Sequence, residues 1–128
     1  MAKALSHPDT DKIELASVLD ALSDPIRLQI VARLAAENEL KCSGFLDYCQ
    51  KTNLTYHVAR LREAGVTRTR SEGPYRYISL RREDLDARFP GLLDAVLTSF
   101  RKTAASEAGL AVEAEAALAA PAMEAQRA

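Results

Sequence analysis

The segment from Lys51 to Gly65 constrains this chain more than any other. In Lys51-Thr52-Asn53-Leu54-Thr55-Tyr56-His57-Val58-Ala59-Arg60-Leu61-Arg62-Glu63-Ala64-Gly65, the apolar residues Leu54, Val58 and Leu61 recur at i, i+4 and i+7. That spacing is one face of an α-helix, and Gly65 stops it by taking a left-handed conformation at no steric cost. The opposite face holds Thr52, Asn53, Thr55, Tyr56 and Arg60. Short donors and acceptors beside a guanidinium are what a helix needs to address base edges in a major groove. Next come Val66-Thr67-Arg68-Thr69-Arg70-Ser71, a Glu72-Gly73-Pro74 turn, and Tyr75-Arg76-Tyr77-Ile78-Ser79-Leu80, the pattern of a β-hairpin. Alternation along its first strand puts Arg68 and Arg70 on one side.

Net charge taken over the whole chain argues against a nucleic-acid partner. The chain of 128 residues carries only −1, but the charge is unevenly spread. Between Lys51 and Arg82 the cations Lys51, Arg60, Arg62, Arg68, Arg70, Arg76, Arg81 and Arg82 face only Glu63 and Glu72. Beyond Thr103 four glutamates face one arginine. A local basic patch is what phosphate contact requires. No apolar run approaches the ~20 residues that span a bilayer, and the start lacks the apolar core of a signal peptide. With two cysteines, a cytoplasmic location and free thiols are the expectation.

In chain order, residues 1–9 read as disordered. A first helix is expected from about Thr10 to Leu22, on Ile13, Leu15, Ala16, Val18, Leu19 and Leu22. Ser23 or Asp24 can cap a second helix in which Pro25 suits the first turn. It runs to about Ala36, and Asn38 helps to close it. Residues 39–50 must supply the short helix and turn that precede the Lys51 helix, although Gly44 limits any helix there. Arg82 to Arg88 reads as a helical turn before Pro90. A last helix follows, with Leu92, Leu93, Val96, Leu97 and Phe100 as a broad apolar stripe. Residues 105–128 are an alanine- and glutamate-rich tail, a frayed helix or disordered.

The expected architecture is therefore mainly α with a small β-hairpin. It is a winged helix-turn-helix of about five helices plus a two-stranded wing, spanning residues 10–104. Leu15, Val18 and Leu19 of the first helix and Leu92, Leu93, Val96, Leu97 and Phe100 of the last carry more apolar surface than one such domain covers. Pairing with a symmetry mate would bury it in a homodimer.

Three segments resemble the ArsR/SmtB family of bacterial winged-helix repressors. They are Leu22-Ser23-Asp24-Pro25-Ile26-Arg27-Leu28-Gln29-Ile30, Leu54 through Val66, and the wing ending Tyr75-Arg76-Tyr77-Ile78-Ser79-Leu80. The resemblance covers about Leu15 to Leu97. It implies a homodimeric transcription regulator that occupies a double-stranded DNA operator until an unidentified small-molecule or redox inducer releases it. The chain departs from the family's metal sensors. Their Glu-Leu-Cys-x-Cys-Asp-Leu stretch is here Glu39-Leu40-Lys41-Cys42-Ser43-Gly44-Phe45, and Leu85 to Phe100 contains no histidine. No metal site and no cofactor are expected. Where the family often has Ser-His-His, this chain has Thr55-Tyr56-His57, so no operator can be carried over.

The residues expected at DNA are Lys51, Thr52, Asn53, Thr55, Tyr56, His57 and Arg60 on the helix, with Arg68, Arg70 and Arg76 on the wing. His57 beside the apolar stripe has two readings, a phosphate contact or a packed half-buried ring. Cys42 and Cys49 likewise read either as small buried hydrophobes or as a thiol sensor of oxidants or soft metalloids. Their Cys-x6-Cys spacing is not that of a zinc site. No serine–histidine–acid set or glycine-rich phosphate loop is present, so an enzyme is not expected. The rival from another class is a winged helix that binds an acidic protein partner.

Overall fold

The computed structural model describes residues 5–119, with side chains as far as Ser106. The expectations for residues 1–4 and 120–128 lie outside the described residues. The chain divides after Ala95 into two compact units, each taken by itself here.

The first unit opens with a single 3-10 turn at Thr10–Lys12, and helix α1 (Leu15–Ala21) follows it. The first helix is thus shorter than the apolar pattern suggests. Ile13 breaks it by adopting an extended backbone that sends its side chain inward, where it is 1% exposed. Helix α2 (Pro25–Glu37) starts as its residues require. Asp24 accepts hydrogen bonds from the amides of Ile26 at 2.8 Å and Arg27 at 3.2 Å, and Pro25 occupies the first turn. Asn38 ends it at a φ of 69°, a conformation that asparagine tolerates better than most residues.

Residues 39–50 depart most from expectation. Glu39–Lys41 form a strand, β1, and Cys42–Phe45 a 3-10 turn, in place of a first helix. With Gly44 weakening any helix, Leu40 and its neighbours pair with the wing instead. Helix α3 is Lys51–Glu63, and the wing is β2 (Thr67–Glu72) with β3 (Tyr75–Leu80). The hairpin closes with Gly73-Pro74 between the paired residues Glu72 and Tyr75. Gly73 has a φ of 57°, the positive value that the first position of a type II′ turn demands. Among the described residues the sheet has three antiparallel strands in the order β1-β3-β2, one more than expected.

The core gathers Ile30, Val31 and Leu34 of α2, Phe45, Leu61 of α3, Val66 and Ile78 of β3, each at most 1% exposed. Truncating one of these leucines to alanine would cost about 2–5 kcal/mol, since the cavity left behind collapses only partly. The wing strand β2 alternates, with Thr67 and Thr69 buried and Arg68 and Arg70 exposed. Helix α4 (Arg82–Arg88) follows, and α5 (Leu92–Ala119) contributes its first turn, with buried Leu93, to this unit.

The segment from His7 to Asp9, expected to be disordered, is tied to the wing. The Thr69 amide donates to His7 Nε2 at 3.0 Å, and Arg81 donates to the Pro8 carbonyl at 2.7 Å. The second unit continues α5 as helix to Ala119, where a frayed or disordered tail was the expectation. No described helix is long and apolar enough to cross a membrane.

Candidate nucleic-acid interface

Helix α3 is fixed from behind. Leu54, Val58 and Leu61 are buried, which orients the opposite face outward. Lys51, Thr52, Asn53, Thr55 and Tyr56 are exposed there, and Tyr56 is 57% exposed. The Thr55 hydroxyl donates back to the Lys51 carbonyl at 3.0 Å, so only its lone pairs remain for another partner. Gln50 makes no side-chain cap, in contrast to Asp24 on α2. The first amides of α3 are thus left to an outside acceptor, as at helix ends that meet phosphate.

His57 is 8% exposed and turned inward, with its Nδ1 3.1 Å from Arg27 Nη1. A guanidinium cannot accept, so Nδ1 is the acceptor in this contact. His57 is therefore packed inside the domain, which fits the second of its two readings. Arg60 is also committed, since it pairs with Asp20 at the end of α1.

The wing arginines are exposed but differ in what holds them. Arg68 lies 3.7 Å from Asp84. Arg70 donates to Glu39 at 3.0 Å, pairs with Glu72 and sits 4.6 Å from the centre of the Tyr77 ring. Arg76 has no carboxylate within ion-pair distance among the described residues. Asp84 is a node that also accepts from Thr10 at 2.8 Å and Arg81 at 2.9 Å. The Thr10 hydroxyl, then Arg81, hold its carboxyl below the ordinary carboxylate range.

Helix and wing follow one another here with an exposed polar face on the first and exposed arginines on the second. Comparison with known proteins gives this arrangement a family. No family model matches the chain. The uncharacterized HTH-type transcriptional regulator YceK of Bacillus subtilis (strain 168) is 38% identical over 84 residues, which cover 63% of this chain and 84% of that protein. The chain belongs to the helix-turn-helix transcriptional regulators. Two solved structures show which branch of that fold it has. HlyU from Vibrio cholerae N16961 superposes with a TM-score of 0.53 at 24% identity, over 63% of this chain and 85% of that one. An ArsR family transcriptional regulator gives a TM-score of 0.53 at 22% identity, over 70% and 93%. The fold of this regulator is the winged helix-turn-helix that both structures share. As a member of that family it is a regulator and not an enzyme.

Of the side chains expected at a dimer contact, Val18 and Leu93 are buried within the first unit at 1–2% exposure. Leu15 and Leu19 of α1 are each 46% exposed, and Leu92, Val96 and Phe100 are half-buried.

Burial pushes both thiols up. Arg76 and Lys51 oppose the effect at Cys42, and the Asp24 carboxylate adds to it at Cys49. A reactive thiol is marked by the opposite shift. Among the described residues no three histidine, cysteine or acidic side chains come together as metal ligands.

Sequence reasoning missed Arg27, which donates to the carbonyls of Ala21 at 2.6 Å and Asp20 at 3.3 Å besides His57. An arginine following Ile26 in an otherwise apolar first turn was the signal available. It also missed Glu39, whose role as the Arg70 acceptor depends on a strand that no periodicity announced.

Proposed function

We propose that this regulator binds double-stranded DNA sequence-specifically as a homodimer and represses transcription until a signal releases it. Thr52, Asn53, Thr55 and Tyr56 read base edges in the major groove, while Lys51, Arg68 and Arg76 hold phosphate. The observation that carries this reading is the exposed polar face of α3, rigidly backed by Leu54, Val58 and Leu61, directly before an arginine-bearing hairpin. The leading residues of such a helix are those that reach bases, and flanking guanidinium groups serve phosphate. Leu15 and Leu19, exposed on one face of α1, support the dimer, which would present two such helices to two half-sites.

The test is anisotropy titration of labelled random duplex at several salt concentrations. Counterion release makes log affinity fall linearly with log salt, by about 0.9 per phosphate neutralised. Selection from a genomic library then yields the operator. A protein that ignores duplex at low salt would be better read as a module for acidic protein partners.

A further inference from the structure

Between α3 and the wing lies a cavity of about 540 Å3. That is within the roughly 300–1,000 Å3 range of small-molecule sites. Leu46, Leu54 and Val58 give it an apolar lining, and Lys51, Arg62 and Arg76 stand in its wall with no aspartate or glutamate among the lining residues. Elsewhere in the domain Arg60, Arg68, Arg70 and Arg82 each have a carboxylate partner, and Arg27 and Arg88 donate to backbone carbonyls. Lys51, Arg62 and Arg76 have no carboxylate partner among the described residues.

A second observation concerns the wall itself. Arg62 Nε and the Thr69 hydroxyl are buried without a hydrogen-bond partner, and both residues line the cavity. Thr69 is only 5% exposed. Buried polar groups left unpaired are costly. An entering acceptor would reach these two only as the wall gives way around it, as Arg60 Nε, Thr67 Oγ1 and Asp86 Oδ1 are closed off in the same manner elsewhere.

On α3, the cavity-lining residues Thr55, Ala59 and Arg62 recur at i, i+4 and i+7, and Thr55 stands at the border with the base-reading residues. Asn53, Tyr56 and Arg60 form a different face of the same helix. A phosphate backbone would use the cations of the cavity but not its apolar floor. We propose that this cavity binds an organic anion with an apolar body, and that its occupant weakens DNA binding by drawing Lys51 and Arg76 away from phosphate. The floor takes the hydrocarbon or aromatic part, and the cations take a carboxylate or phosphate head. The second half of the proposal rests on the DNA-binding function above; the first half does not.

The probe is 8-anilinonaphthalene-1-sulfonate, an aromatic body with one anionic group, followed by its fluorescence on the full chain. It should bind saturably at one site per chain and be displaced by decanoate or octyl phosphate, whichever head group is preferred. Decanol and inorganic phosphate, each carrying half of the chemistry, should compete at least about tenfold less well, since a charged hydrogen bond is worth about that factor. Ala59→Phe, which fills the cavity, and Arg62→Gln, which removes a head-group partner, should each weaken the probe about tenfold while retaining the thermal unfolding of the parent. Saturating decanoate should lower the affinity for random duplex in the parent and leave Ala59→Phe unaffected. Equal probe binding by all three proteins, or equal competition by decanol, overturns the site. Unchanged duplex affinity under saturating decanoate overturns the coupling. A parent that binds the probe as described but no duplex at all refutes the DNA-binding function and leaves the ligand site standing.

Discussion

Arg27 Nη1 lies 3.1 Å from His57 Nδ1, and this contact joins the start of α2 to the inner face of α3. The same guanidinium reaches the Asp20 and Ala21 carbonyls at the end of α1. One side chain therefore holds the ends of two helices against the back of a third. His57→Phe should leave Arg27 with an unmet buried donor and lower stability by about 1–3 kcal/mol, read by urea unfolding. Duplex affinity per folded molecule should stay unchanged. Lost affinity with intact stability would mean that His57 touches DNA after all.

The helix and the wing should divide the work. Asn53→Ala or Tyr56→Ala should cost about 1–3 kcal/mol on the selected operator and almost nothing on random duplex. Arg76→Ala should weaken both alike and flatten the salt slope. Arg70→Ala should do less than Arg76→Ala, because Glu39 and Glu72 already occupy its guanidinium. A larger effect at Arg70 would show that DNA displaces both carboxylates.

Dimerisation can be separated from folding. Leu19→Glu places a charge on a side chain that is 46% exposed, and should yield a folded monomer in sedimentation. Leu93→Glu buries a charge where Leu93 is 2% exposed, and should unfold the protein instead. A dimer that survives Leu15→Glu and Leu19→Glu together would place the contact elsewhere.

The start of the chain should respond to pH. Burial, then Arg68, Arg62 and Arg81, lower the pKa of His7 from its ordinary 6.5. The neutral ring is the one that accepts from the Thr69 amide. With the folded value depressed, the unfolded chain binds the proton more readily. Stability is therefore fully present above 6.5 and is lost as pH falls through the folded value. Proteolysis ahead of Thr10 should accelerate at pH 5 relative to pH 7.5, and His7→Ala should remove the difference.

Both thiols should be slow. Burial raises Cys42 and Cys49 alike, so iodoacetamide should modify the native protein slowly at neutral pH and faster only in alkali. Cys42→Ser with Cys49→Ser should keep full duplex affinity. Rapid alkylation at pH 7 would return these thiols to consideration as a sensor.

What could be read in the sequence were the elements that depend on local pattern. Helical spacing located α3, the Asp24-Pro25 pair located the start of α2, and strand alternation separated Arg68 and Arg70 from Thr67 and Thr69. Features set by distant partners could not be read. Ile13 looks like part of a helical stripe, but it is extended because its side chain fills the space beneath Gly65, where an added Cβ would meet Ile13 Cγ1 at 2.6 Å. Glu39–Lys41 form a strand because β3 offers an edge, not because three residues carry a period. The outward face of α3 was legible, since its inner residues are plainly apolar. The inward turn of His57 was one of two readings its place beside the apolar stripe allowed, while its partner Arg27, thirty positions away, could not be read.

The strand order β1-β3-β2 has a geometric consequence for recognition. Strand β1 precedes α3, separated from it by the Cys42–Phe45 turn and residues 46–50, β2 follows α3 after three residues, and both strands pair with β3 along opposite edges. The segments before and after the helix are thereby tied to a common strand. The separation between the side chains of α3 and those of the wing then becomes a fixed ruler. With the wing on phosphate, which repeats along the duplex, a base pair inserted outside the stretch read by α3 should be tolerated, whereas one inserted within that stretch should be rejected.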